Sequence, residues 1–130
     1  VEQIRTSIKG GLAMTQIFKR IDTVFVPTRN IDQAFKWYTD ILGGVPGWKG
    51  DEGEYQSVKF GDTSITLFLT DEDVYFQPRR SAFNFYVADA ESAYEHLKSN
   101  GVQVEELKEY GARYFAFYDL DGNCLEVCEY

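Results

Sequence analysis

A carboxylate stands between two thiols near the end of the chain. In the segment YDLDGNCLEVCEY, Glu126 lies two residues after Cys124 and two residues before Cys128. Successive side chains of a strand point to opposite faces of a sheet, so a strand here would put all three groups on one face. Such a set could form a metal site or an anchor for a ligand, and it is also consistent with no chemical role.

The two thiols are predicted to be free. Four strand steps of about 3.3 Å separate Cys124 from Cys128 by about 13 Å. A disulfide needs Cα atoms within about 7 Å of each other. The same straight spacing fits a tetrahedral zinc site poorly, and cysteine is often a small buried hydrophobic residue. We therefore interpret both cysteines as reduced residues that line the open face of the sheet and take no part in chemistry.

Composition narrows the class of protein. The chain has 130 residues, 44% of them hydrophobic, which is typical of one globular domain. A formal net charge of −8 argues against nucleic acid or an anionic membrane as partner. The charge either serves solubility or favours cationic small molecules. No apolar run approaches the ~20 residues of a membrane span.

The beginning of the chain is predicted to have no functional role. VEQIRTSIKGGLAM contains no apolar signal-peptide core, and Met14 precedes strand-like sequence as a native start would. We expect residues 1–16 to be an N-terminal extension of upstream or artificial origin, and residues 17–130 to form a single domain. Two cysteines without a secretion signal indicate a reducing, cytoplasmic compartment.

Two segments of the chain repeat one pattern. RIDTVFVPTRNIDQAFKWYTDILGG and SAFNFYVADAESAYEHLKSNG each begin with a strand-like run and continue with apolar residues at helical spacing. Asn30 and Asp89 are suited to cap the two helices, and Gly43 and Gly101 to end them. Strand-like sequence with tight turns follows each helix. A period of about 60 residues indicates an internal duplication.

The duplication predicts an α+β fold. Each half is expected to be a βαβββ module, over about residues 17–70 and 79–130. Together the modules would form an open, cupped mixed sheet with the helices on its outer face. Alternation places one set of side chains under the helices, Leu69 among them, and leaves the other set on the open face.

The repeated modules resemble a known superfamily. The strand-to-helix pattern TVFVPTRNIDQAFKWYTDILGG and the ending FYDLDGNCLEV are similar to the vicinal oxygen chelate superfamily over about residues 17–130. That superfamily includes glyoxalase I, extradiol dioxygenases, fosfomycin-modifying enzymes and bleomycin resistance proteins. The resemblance implies the fold and a homodimer, whereas one fold hosts many functions.

Catalytic members of that superfamily hold a divalent metal with His and Glu side chains from both modules. The corresponding positions of this chain are Thr23, Thr66, Ala82 and Glu126. Glu126 alone is a normal metal ligand, so we expect neither a metal nor another cofactor. His96, the single histidine, lies off the apolar stripe of its helix and is expected to face solvent.

Without a metal, the open face is predicted to be an aromatic groove with a few charges. Its candidate ligand-binding residues are Phe25, Tyr55, Lys59, Phe68, Asn84, Tyr86, Tyr114, Tyr118 and Glu126. Aromatic walls and a carboxylate suit planar or cationic molecules, and bleomycin resistance proteins resemble this case. We expect a cytoplasmic, metal-independent protein that sequesters an aromatic or cationic small molecule. Simple packing of these aromatics, or a dimer contact, also fits them.

Two further functions fit the same residues. One is a glyoxalase-like lyase, an isomerase or a dioxygenase, in which Glu126 is the catalytic base or a metal ligand and tyrosines donate hydrogen bonds. The other is an interaction module whose groove or sheet edge binds a protein partner. Turnover that depends on Glu126 would indicate the enzyme.

Overall fold

The computed structural model describes residues 16–130, so the predicted N-terminal extension lies outside the described residues except for its last position. The helices of this part are α1 (Ile31–Asp40) and α2 (Ala90–Ser99), with a short 3₁₀ helix at Asp73–Phe76. The strands are β1 (Thr23–Thr28), β2 (Val45–Lys49), β3 (Tyr55–Phe60), β4 (Thr63–Leu69), β5 (Phe85–Tyr86), β6 (Lys108–Glu109), β7 (Arg113–Tyr118) and β8 (Cys124–Glu129). Neither helix is long and apolar enough to cross a membrane.

The strands form two sheets of the same plan. Their orders are β1-β4-β3-β2 and β5-β8-β7-β6. In each sheet the first strand runs parallel to the last, and the other neighbours are antiparallel. The prediction of an α+β fold built from two tandem βαβββ modules is therefore confirmed.

Both helices begin and end at the residues that the sequence indicated. The side chain of Asn30 accepts a hydrogen bond from the backbone N–H of Gln33 at 3.0 Å, and Asp89 accepts from two N–H groups in the first turn of α2. Gly43 and Gly101 have φ angles of 78° and 76°. This left-handed conformation ends a helix and is most favourable for glycine, which has no Cβ.

One apolar core joins the two halves. Its buried residues are Val26, Ile31, Ala34, Tyr38, Val58, Ile65, Leu67, Ala90, Leu97, Phe115, Phe117, Leu125 and Val127. The predicted alternation of buried and open positions is correct for the strand residues in this core. It is wrong for Leu69, which is 49% exposed. Leu69 is the last residue of β4 and so lies at the margin of the core. Across the two halves, the rings of Phe60 and Phe85 meet edge to face with centroids 5.1 Å apart.

A buried polar cluster also connects the halves. The hydroxyl of Tyr38, on α1, donates to Asp119 Oδ2 at 2.6 Å. The amide of Asn123 donates to the same oxygen and to the carbonyl of Pro27, both at 2.9 Å. Burial raises the pKa of the Asp119 carboxyl, and the hydrogen bonds that it accepts oppose that rise. The cluster thus fixes the turn between β7 and β8 against the first module.

Candidate functional site

On the open face of the first sheet, two polar side chains at candidate metal-ligand positions bond to each other. Thr23 and Thr66 meet with their Oγ1 atoms 2.7 Å apart. Thr23 also donates to the carbonyl of Ser64 at 3.0 Å. Because a hydroxyl carries one proton, Thr66 is the donor in the bond between the two threonines. Thr66 is only 6% exposed, so these two positions satisfy each other inside the protein.

The open face of the second sheet carries a cavity of about 530 Å³, which we call the main cavity. Strand β7 contributes Tyr114, Ala116 and Tyr118 to its lining. Residues two apart in a strand share a face and stand about 7 Å from each other. The small side chain of Ala116 therefore leaves a gap between the two tyrosines that can admit a planar group.

Two carboxylates flank this gap. Glu126, on β8, is the pairing partner of Ala116 on one side. On the other side, the backbone N–H of Glu105 donates to the Ala116 carbonyl at 2.8 Å. Both glutamates line the main cavity. The gap thus offers aromatic surface with negative charge on two sides.

A smaller cavity of about 330 Å³ adjoins the main cavity. The two cavities share the lining residues Arg79, Arg80, Tyr118 and Cys124. The smaller one adds the aromatic side chains of Phe25, Tyr75 and Phe76. A ligand longer than the gap can therefore extend from the second module towards β1.

Two side chains at the shared boundary stay protonated at neutral pH. The hydrogen bond that Tyr118 donates to the Glu105 carboxylate raises the pKa of Tyr118 to about 12. Burial raises the pKa of the Cys124 thiol. Because a thiol reacts as the thiolate, Cys124 lacks the features of an activated nucleophile. Cys124 and Cys128 are both free.

The structure divides the predicted ligand-binding residues among different places. Phe25, Tyr114, Tyr118 and Glu126 line the two adjoining cavities. Lys59, Asn84 and Tyr86 line a separate cleft of about 600 Å³. The residues predicted to form one groove therefore line two separate concave surfaces.

The remaining two predicted residues pack against other aromatic rings. Phe68 meets Tyr75 edge to face with centroids 5.3 Å apart, so it supports the wall of the smaller cavity. Tyr55 lies against the exposed ring of Trp48, with centroids 6.3 Å apart. His96 is exposed, as the sequence predicted, and its Nε2 lies 2.7 Å from the carbonyl of Ile41.

Several charged residues of the main cavity escaped the sequence analysis. They are Arg79, Arg80, Glu105, Glu106 and Lys108. Strand alternation could not reveal them, because the arginines lie in the irregular segment between β4 and β5, and only Lys108 belongs to a strand, the two-residue β6. The sequence feature that could have indicated them was the pair of adjacent arginines, which is unusual in a chain with a net charge of −8.

The four positions that the resemblance assigned to metal ligands do not fit a metal here. Thr23 and Thr66 bond to each other, and Ala82 has no donor atom. Glu126, in the main cavity, is therefore the one normal metal ligand among the four positions. Within residues 16–130, no three His, Cys, Asp or Glu side chains come together as a metal-binding group.

Comparisons with known proteins agree with the architecture. A family model described as "Glyoxalase/Bleomycin resistance protein/Dioxygenase superfamily" matches residues 20–127. The uncharacterized protein YraH of Bacillus subtilis (strain 168) is 28% identical over 110 residues, which cover 73% of this chain and 86% of that protein.

Two solved structures with 22% sequence identity share the fold. TnmS3, an antibiotic binding protein from Streptomyces sp. CB03234, aligns with a TM-score of 0.73, covering 88% of this chain and 98% of its own. Lactoylglutathione lyase from Agrobacterium tumefaciens aligns with a TM-score of 0.71, covering 88% and 96%. One fold thus serves a binding protein and a lyase, so function must be argued from the site.

Proposed function

The chain belongs to the Glyoxalase/Bleomycin resistance protein/Dioxygenase superfamily, and on that premise we propose that it is a metal-independent protein that binds and sequesters a planar aromatic cation. The observation that carries this proposal is the gap at Ala116. Tyr114 and Tyr118 stand on either side of it along β7, and Glu126 and Glu105 stand on either side across the sheet.

The chemistry of this gap suits such a ligand. Aromatic rings bind a planar group by offset or edge-to-face contact, worth about 0.5–1.5 kcal/mol per pair beyond the area buried. A cation gains further from ring faces and from carboxylates at the same site. Glu126 has no ion-pair partner within 4.0 Å among the described residues, so its charge is available to a ligand. The overall charge of −8 attracts cations to the protein.

The relatives add support to sequestration. TnmS3, which shares the fold, carries the description of an antibiotic binding protein.

We extend the proposal to a homodimer in the cytoplasm. Two free cysteines support a reducing compartment, and the exposed rings of Trp48 and Tyr55 on the first module support a contact between copies.

An enzymatic role for Glu126 as general base is the competing proposal. It would need a donor set around the reacting group, and the relevant groups here are engaged: Tyr118 donates to Glu105, and the two threonines bond to each other. Because a lyase shares this fold, the experiment must also be able to detect turnover of the ligand.

The test uses tetramethylrhodamine methyl ester, a planar aromatic cation without an anionic group, followed by fluorescence anisotropy. We expect saturable binding at a single site per chain. Glu126→Gln should weaken it about tenfold, the size of one charge-assisted contact. Glu95→Gln, on the exposed side of α2, removes the same charge away from the site and should leave affinity unchanged.

The fate of the probe separates binding from chemistry. After prolonged incubation, mass spectrometry should recover the ester unaltered. Absence of saturable binding would contradict the proposal. If the wild-type protein altered the probe and the Glu126→Gln protein left it intact, the enzymatic alternative would be established instead.

A further inference from the structure

The main cavity contains charges of both signs that form no direct ion pairs with one another among the described residues. Its cationic side chains are Arg79, Arg80 and Lys108, and its carboxylates are Glu105, Glu106 and Glu126. The ion pairs among residues 16–130, at N–O distances up to 4.0 Å, involve none of these six groups. Both signs of charge are therefore left for water or a ligand.

The arginines are presented by an anchored linker. Arg29, directly after β1, donates to the carboxylate of Asp73 at 2.9 Å and to the carbonyl of Asp71 at 3.2 Å. Its guanidinium lies 4.1 Å from the centre of the Phe76 ring. Arg79 in turn donates to the carbonyl of Val74 at 3.1 Å. The linker is thus tied to the first module, and it holds the arginines at the second.

The two signs of charge occupy different positions. Arg79 and Arg80 line both adjoining cavities, so they stand at the junction between them. Glu126 lines the main cavity, beside the gap at Ala116. The guanidinium of Arg80 donates to no acceptor among the described residues, whereas Arg79 uses part of its capacity on the linker. A group bound at the junction would therefore meet free guanidinium donors.

We propose that the ligand is dipolar: a planar aromatic cation that also carries a carboxylate. The cationic ring system occupies the gap beside Glu126, and the carboxylate reaches Arg79 and Arg80 at the junction. A guanidinium binds a carboxylate through paired hydrogen bonds, which a neutral ester cannot reproduce. This inference rests on the proposed function and narrows its ligand class.

A matched pair of dyes tests the inference. Tetramethylrhodamine has the same planar cationic ring system as its methyl ester but carries a free carboxylate. We expect the acid to bind about tenfold more tightly than the ester, as one charge-assisted contact would give. Arg80→Gln should remove this preference, measured as the ratio of the acid and ester affinities for that same variant. Glu126→Gln should weaken both dyes equally.

The controls keep the interpretation specific. Arg20→Gln removes an exposed arginine that pairs with Asp22, outside both cavities, and should change neither affinity. The double variant R79Q/R80Q should also bind both dyes equally, and its thermal unfolding should match that of the wild type, because both arginines are exposed.

The possible failures are distinguishable. Equal affinity of the acid and the ester for the wild type would overturn the dipolar ligand and leave the proposed function standing. A preference for the acid that survives in R79Q/R80Q would overturn the role of the arginines. Failure of both dyes to bind would overturn the proposed function itself.

Discussion

The two open sheet faces come from one duplicated plan but differ in how their polar side chains are paired. On the first sheet, Thr23 and Thr66 complete each other's hydrogen bonds at 2.7 Å, with Thr66 buried. On the second, Glu126 faces the small side chain of Ala116 across the strand pair and has no cationic partner among the described residues. Polar groups satisfied within the protein need nothing more, whereas a carboxylate at a cavity still requires water or a ligand. Duplication sets the plan of each sheet, and we propose that side-chain pairing decides which copy binds a ligand.

The largest expected effect comes from breaking the connection between the halves. Asp119→Ala leaves the buried hydroxyl of Tyr38 and the amide of Asn123 without their shared acceptor. We expect the free energy of unfolding to fall by about 3 kcal/mol, measured by urea denaturation. Asp62→Ala, in the exposed turn between β3 and β4, is the matched control and should cost less than about 0.5 kcal/mol. Equal losses in the two variants would show that the cluster does not hold the modules together.

Filling the gap on the second face should come next. Ala116→Trp places a large ring between Tyr114 and Tyr118, so the site can no longer admit the methyl ester dye. We expect binding to weaken more than about fiftyfold, which corresponds to over ~2 kcal/mol. Lys59→Trp puts the same ring on the first sheet, and its affinity should equal that of the wild type. A comparable loss from Lys59→Trp would make the first sheet, with its cleft of about 600 Å³, the binding site.

A smaller effect is expected from the threonine pair of the first face. Thr23→Val removes the acceptor of the buried Thr66 hydroxyl and should lower the free energy of unfolding by about 1 kcal/mol. The double variant T23V/T66V replaces both partners by apolar groups of the same shape, so part of the loss should return. Dye affinity should not change in either protein. Additive losses in the double variant would contradict a self-contained pair.

The pH dependence of Tyr118 is the smallest effect and concerns the second face alone. Glu105 favours the neutral hydroxyl, which raises the pKa of Tyr118 to about 12. The stabilising contribution of this hydrogen bond is therefore complete below the ordinary tyrosine pKa of about 10 and is lost as the pH rises through about 12. The difference in ultraviolet absorbance between wild type and Tyr118→Phe should report that midpoint. Glu105→Ala should lower it, and Glu106→Ala should not. An unchanged midpoint in Glu105→Ala would show that Glu105 is not the cause.

The sequence predicted the fold because the relevant signals are local. A capping side chain, a glycine with positive φ and an alternating strand each act over a few residues, and Asn30, Asp89, Gly43 and Gly101 all do what their positions indicate. Leu69 was placed wrongly, since alternation cannot tell where a core ends.

The candidate site was only partly predictable because tertiary contacts assemble it. Alternation placed Lys59 and Glu126 on open faces, but it could not show that they belong to different cavities. The contact between Tyr118 and Glu105 depends on how the chain after α2 runs beside β7. Arg80 reaches the main cavity through an irregular linker that Arg29 anchors, and no periodic pattern encodes that path.

The comparison of the two faces can be tested directly by nuclear magnetic resonance. Backbone amide shifts of the ¹⁵N-labelled protein would be followed during titration with tetramethylrhodamine methyl ester. We predict that the largest saturable changes lie at Ala116, Tyr118 and Glu126, with Thr23 and Thr66 unaffected. Changes centred on the two threonines would contradict the claim that the ring system binds at the gap beside Ala116, on the second face.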